Sequence, residues 1–70
     1  MTSQEFLEWM GTMGFTKAAQ IVTCLTVSRN HAQRWVRDAQ AGLDVDIKPT
    51  VALAMSAAVH GLPPWGKDTA

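Results

Sequence analysis

The stretch Leu25-Thr26-Val27-Ser28-Arg29-Asn30-His31-Ala32-Gln33-Arg34-Trp35-Val36-Arg37 decides how the chain is read. Ser28 is a favoured N-cap residue, so a helix is expected to begin just after it. From there Ala32, Trp35, Val36 and Ala39 recur at helical spacing and form an apolar stripe. Asn30, Gln33, Arg34 and Arg37 form the opposite, polar stripe. Upstream, Ala18, Ile21, Val22 and Leu25 keep the same spacing and predict a shorter helix, with Thr16 as its N-cap. A short helix, a tight turn and a second helix with cleanly separated faces make the pattern of a helix-turn-helix, placed at about residues 16–38.

Charge follows the same division. The chain has six basic and six acidic residues, yet Thr16 to Arg37 carries Lys17, Arg29, Arg34 and Arg37 with no Asp or Glu. The acids stand outside it, at Glu5, Glu8, Asp38, Asp44, Asp46 and Asp68. Overall neutrality excludes an unstructured basic tail coating nucleic acid nonspecifically, because that mode needs a large net positive charge. It leaves room for one positive face on a folded domain. Arg can pair with the O6 and N7 acceptors of guanine, and Asn and Gln with the N6 and N7 of adenine. Asn30, Gln33, Arg34 and Arg29 are therefore expected to read bases, with Ser28, Lys17 and Arg37 holding phosphates. The bland alternative is a solvated face on a surface helix, but Asn, Gln and Arg together without Glu are an odd choice for solvation alone.

In the Val27-Ser28-Arg29 stretch, the polar helix after it and the buried Trp35, the chain resembles the lambda-repressor and Cro-like class of helix-turn-helix regulators. The resemblance covers Thr16 to Val36 well and the last helix loosely. It implies that Ser28 to Arg37 enters the major groove while Thr16 and Lys17 touch the backbone. The apolar last helix after a proline and the Pro-rich end also look like the small phage autorepressors associated with anti-CRISPR operons. Two positions depart from the family pattern. Thr26 stands where the turn usually has Gly, and Val22 where the first motif helix favours Ala. A β-branched Thr resists the left-handed backbone that such a turn requires.

The remaining elements are shorter arguments. Thr2 and Glu5 have the spacing of a capping box, and Phe6, Leu7, Met10 and Met13 give the first helix an apolar stripe. Trp9 either completes that stripe or lies partly exposed at an interface, and either Gly11 or Gly14 ends the helix. Gly42 ends the helix begun at Ser28. Leu43-Asp44-Val45-Asp46-Ile47 alternates as a short strand does, but no second strand is evident, so an extended connection is favoured. Pro49 suits a helix first turn, and residues 48–60 form a helix that is apolar nearly all round. The tail, residues 61–70, contains Pro63 and Pro64 and is expected to fold Trp65 back onto a neighbour.

A chain of 70 residues is one domain that buries only roughly 60% of the surface it exposes unfolded. With 47% hydrophobic residues and three Trp, self-association is expected, through Val51, Met55, Val59 and Trp65, although Met10, Met13 and Met55 at helical spacing are more often core. Cys24 is the single cysteine and reads as a small buried hydrophobe in a reducing compartment. Cys24, His31 and His60 match no zinc spacing, and Asp44-x-Asp46 lacks the rest of a calcium loop. His31 either donates to a phosphate or has no role, and His60 suits a helix C-terminus. No nucleophile elbow, phosphate loop or paired carboxylates suggest an enzyme, a cofactor or a small-molecule substrate. Neither a signal peptide nor a membrane span is expected, which points to the cytoplasm.

The expectation is thus a small all-α domain of four or five helices containing a lambda-repressor-like helix-turn-helix. It acts as a homodimeric, sequence-specific regulator on double-stranded DNA carrying a palindromic operator, most simply a phage or mobile-element repressor. A helical protein–protein interaction module, antitoxin-like or inhibitory, is the alternative.

Overall fold

The computed structural model describes residues 1–62, which form four α-helices and no strand. They are α1 (Ser3–Met13), α2 (Ala18–Leu25), α3 (Arg29–Gln40) and α4 (Pro49–Val59). Thr2 caps α1: its hydroxyl oxygen accepts from the Glu5 N–H at 3.1 Å, and Glu5 Oε1 accepts from the Thr2 N–H at 2.9 Å. These bonds hold the exposed Glu5 carboxyl below its ordinary value of 4.5. The helix runs to Gly14, whose left-handed backbone (φ 74°) lets the Phe15 N–H reach back to the Met10 carbonyl at 2.8 Å.

The buried side of α1 is Phe6, Trp9 and Met10, with Met13 half-buried. Leu7, expected in that stripe, is 42% exposed. The i, i+3, i+4, i+7 rows through Phe6 pass Trp9, Met10 and Met13, so Trp9 completes the stripe and Leu7 falls beside it. The α2 start also differs from expectation. Lys17, not Thr16, is the N-cap, because Gln20 Oε1 turns back to accept from the N–H groups of Thr16 (2.6 Å) and Lys17 (2.9 Å). Ile21 is fully buried and Ala18, Val22 and Leu25 are partly so. Cys24 is exposed rather than buried, since the apolar side of so short a helix is already filled by those four.

The core draws on all four helices, and a run of aromatic contacts ties α1 and Phe15 after it to α3. Phe15 meets Trp9 edge-on at 5.5 Å, Trp9 lies 6.0 Å from Phe6, and Phe6 meets Trp35 of α3 edge-on at 6.5 Å. Ala32 and Ala39 let α3 approach closely, and Met55 brings α4 onto the cluster. The Trp9 indole N–H donates to the Met55 carbonyl at 3.0 Å in a buried bond across the core. Met55 is therefore a core residue, 2% exposed, and not part of a dimer surface. A helix apolar on every side gives no sign, by spacing alone, of which side is the inner one.

Residues 43–48 are an extended connection without a ladder. Val45 nevertheless makes a strand-like exchange with the first residue: its N–H donates to the Met1 carbonyl at 2.8 Å, and the Met1 amino group donates to the Val45 carbonyl at 3.3 Å. That exchange lays Val45 into the core, 2% exposed, while Leu43 stays 57% exposed. Trp65, and with it residues 63–70 of the expected dimerisation tail, lies outside the described residues.

Trp9→Phe keeps an aromatic ring in place but removes the indole donor. It is expected to lower unfolding free energy by about 1–3 kcal/mol in urea denaturation, the range for losing one partner of a buried hydrogen bond. Glu5 is held ionised by contacts present only in the folded chain. Its contribution is complete above its unfolded pKa and declines as pH falls through the depressed folded value. Glu5→Gln is therefore expected to flatten the fall of stability as pH drops below about 4.5, measured as denaturation midpoint against pH.

Candidate nucleic-acid interface

Helix α3 presents the most sharply divided surface of the molecule. Ala32, Trp35 and Ala39 are buried, Val36 and Asp38 are half-buried, and the remaining positions face solvent. Asn30, Gln33, Arg34 and Arg37 are exposed together on the outer side, and Arg29 and Ser28 are exposed at its start. The Ser28 hydroxyl oxygen accepts from the His31 N–H at 3.2 Å, which fixes where the helix begins. Arg37 lies 3.6 Å from Asp38 with its side chain 74% exposed, a contact that water and salt weaken. Among the described residues, Arg34 and Arg29 enter no ion pair within 4.0 Å.

The turn into α3 is three residues long, Thr26 to Ser28. Thr26 is left-handed (φ 56°, ψ 45°), with its N–H donating to the Val22 carbonyl at 2.9 Å. Among the described residues it alone takes a positive φ without being glycine. The β-branched side chain thus does not prevent the sharp turn; the turn holds it in a costly conformation. Val27 follows, half-buried against the core, and carries the chain into the Ser28 cap.

Lys17 is exposed at the N-cap of α2, on a different helix from the other candidates. His31 lies flat on Trp35, ring centroids 6.2 Å apart and planes 13° from parallel. It shares a cleft with Arg34 and Lys48, a grouping that goes beyond the residues expected from the sequence. A signal for Lys48 exists, since the residue before a helix-starting proline is the natural N-cap. Of the expected dimer residues, Val59 is 41% exposed at the end of α4, whereas Val51 is half-buried beside that cleft. Leu53 (71%) and Leu62 (61%), which the sequence reading did not single out, are exposed as well. Among the described residues, no three His, Cys, Asp or Glu side chains gather as metal ligands do. No described helix is long and apolar enough to cross a membrane.

Comparison of the chain with protein families, with curated proteins and with solved structures gave no match.

Thr26→Gly is expected to stabilise the fold. Relieving a left-handed β-branched residue gains roughly 1–2 kcal/mol, offset by about 0.5–1 kcal/mol of added unfolded-chain entropy. A rise in Tm of a few degrees checks it; a fall means the Thr26 side chain makes a compensating contact.

Proposed function

We propose that the chain is a sequence-specific DNA-binding regulator of the lambda-repressor-like helix-turn-helix kind, with α2 and α3 as the motif and α3 as the helix that enters the major groove. The observation that carries this reading is the outer face of α3, where Asn30, Gln33, Arg34 and Arg37 are all exposed on a helix whose other side is locked into the core. Asn30, Gln33, Arg34 and Arg29 read base edges, and Ser28, Lys17 and Arg37 hold phosphates. Thr26 in the left-handed region supports the motif, because the turn it makes is the one that the family pattern gives to Gly.

The functional unit in this reading is a homodimer in the cytoplasm, repressing by occupying a promoter. Support comes from the exposure of Leu53, Val59 and Leu62, large uncharged side chains of the kind a second copy covers. Two α3 helices about a twofold axis then reach half-sites about 34 Å apart on a palindromic operator. The same exposed hydrophobes favour the alternative of a protein-binding helical module, with salt-insensitive association and no preferred DNA sequence.

Selection from random duplexes, with size measurement in solution, tests the reading: a palindromic winner bound by a dimer is expected, and no enriched sequence overturns it. On the selected site, Gln33→Ala and Arg34→Ala are each expected to weaken binding by roughly 1–3 kcal/mol and to relax preference at one base pair. Lys17→Ala and Arg37→Ala are expected to weaken all duplexes alike and to reduce the salt slope by about one unit, measured by fluorescence anisotropy across salt concentrations.

A further inference from the structure

Beside the outer face of α3 lies a cleft of about 270 Å³, between that helix from His31 to Asp38, Val27 in the turn before it, the connection before α4 and the first turn of α4. Its apolar walls are Val27, Val51 and the indole of Trp35, over which the His31 ring is stacked. Four charged side chains complete the lining: the bases Arg34 and Lys48 and the acids Asp38 and Asp46. Arg37 touches Asp38 at 3.6 Å; among the described residues the other three have no ion pair.

Two permanent bases and two acids around an apolar floor select against simple ions. A phosphate there would meet two carboxylates, and a plain ammonium would meet two cations. A small molecule with both charges and an apolar body satisfies every part of the lining. The volume suits a body of amino-acid size and lies just under the usual range for drug-sized ligands, about 300–1,000 Å³.

We propose that this cleft binds a free zwitterionic α-amino acid with a branched or aromatic side chain. Its carboxylate meets Arg34 and Lys48, its ammonium meets Asp38 and Asp46, and its side chain lies against Trp35. Arg34 also belongs to the proposed base-reading set, so an amino acid that engages its guanidinium competes with DNA. That regulatory consequence rests on the DNA-binding reading; the binding site does not.

Titration of the whole chain with L-phenylalanine and L-leucine, followed by amide and indole NMR shifts, tests the site. Saturable shifts at Trp35 and Arg34 are expected, and shifts at least about tenfold weaker in affinity for N-acetyl-L-phenylalanine, phenethylamine and inorganic phosphate, each lacking part of the charge pattern. Lys48→Gln and Asp46→Asn alter exposed side chains outside the core, and each is expected to weaken binding by about tenfold while the rest of the spectrum is unchanged. No response to either amino acid at millimolar concentration overturns the proposal. Equal binding of phosphate alone overturns it too, making the cleft an anion seat. Adding the amino acid to a DNA-bound sample is expected to release the duplex. Unchanged DNA affinity with the cleft occupied overturns the regulatory coupling, whereas a chain that binds the amino acid but no duplex sequence overturns the DNA reading and leaves the ligand site standing.

Discussion

Trp35 enters the core edge-on to Phe6 and carries the largest apolar area on α3, and that seat determines what the rest of the helix can do. Once its ring is inside, Ala32 and Ala39 face inward on the same side, and their small size brings the α3 backbone close to α1 and α2. The outward direction of Asn30, Gln33, Arg34 and Arg37 then follows from helical geometry. Rolling α3 by one position would lift Trp35 toward water and turn either Gln33 and Gln40, or His31, Arg34 and Asp38, into a core that, among the described residues, holds no buried polar side chain. The orientation of the candidate interface is thus secured by apolar burial on its opposite side.

The core that supplies this anchorage is thin, nine buried residues among those described. Directional contacts reinforce it. The run of rings Phe15, Trp9, Phe6 and Trp35 ties the end of α1 to α3, and the indole bond from Trp9 to the Met55 carbonyl ties α1 to α4. The exchange between Met1 and Val45 pins the connection that leads into α4. Each of these links joins separate segments of the chain. What such a core leaves uncovered includes Leu53 and Val59 of α4.

Part of this is legible in local chemistry along the chain. Thr2 with Glu5, Ser28, Gly42 and Pro49 are cap signals whose partners lie within a few residues, and the elements begin or end where those residues put them. The two faces of α3 are legible because polar and apolar positions hardly mix there. Where a helix is apolar on every side, periodicity carries no direction. Met55 reads both as core and as dimer surface in α4, and Trp9, 46 residues earlier, decides between them by donating to its carbonyl. Leu7 and Cys24 depart from expectation for a related reason: one more hydrophobe stands near the stripe than the neighbouring helices cover. The cleft beside Trp35 joins residues from Val27 to Val51, a juxtaposition that spacing along the chain does not encode.

Electrostatics of the helix starts adds a last consideration. The first turn of α1 carries an acid, Glu5, as the positive end of a helix dipole favours. None of the first turns of α2, α3 and α4 does, and each of these helices has a base at or beside its cap instead: Lys17, Arg29 and Lys48. A cation at such a position forgoes or opposes an interaction of about 0.3–1 kcal/mol, so for an isolated domain the arrangement weakens the fold slightly. The opposition vanishes wherever an anion approaches, because dipole and side chain then attract it together. In a neutral chain with a thin core, placing bases at three helix starts makes physical sense if the domain works against a negatively charged partner, which is what the outer face of α3 is proposed to do.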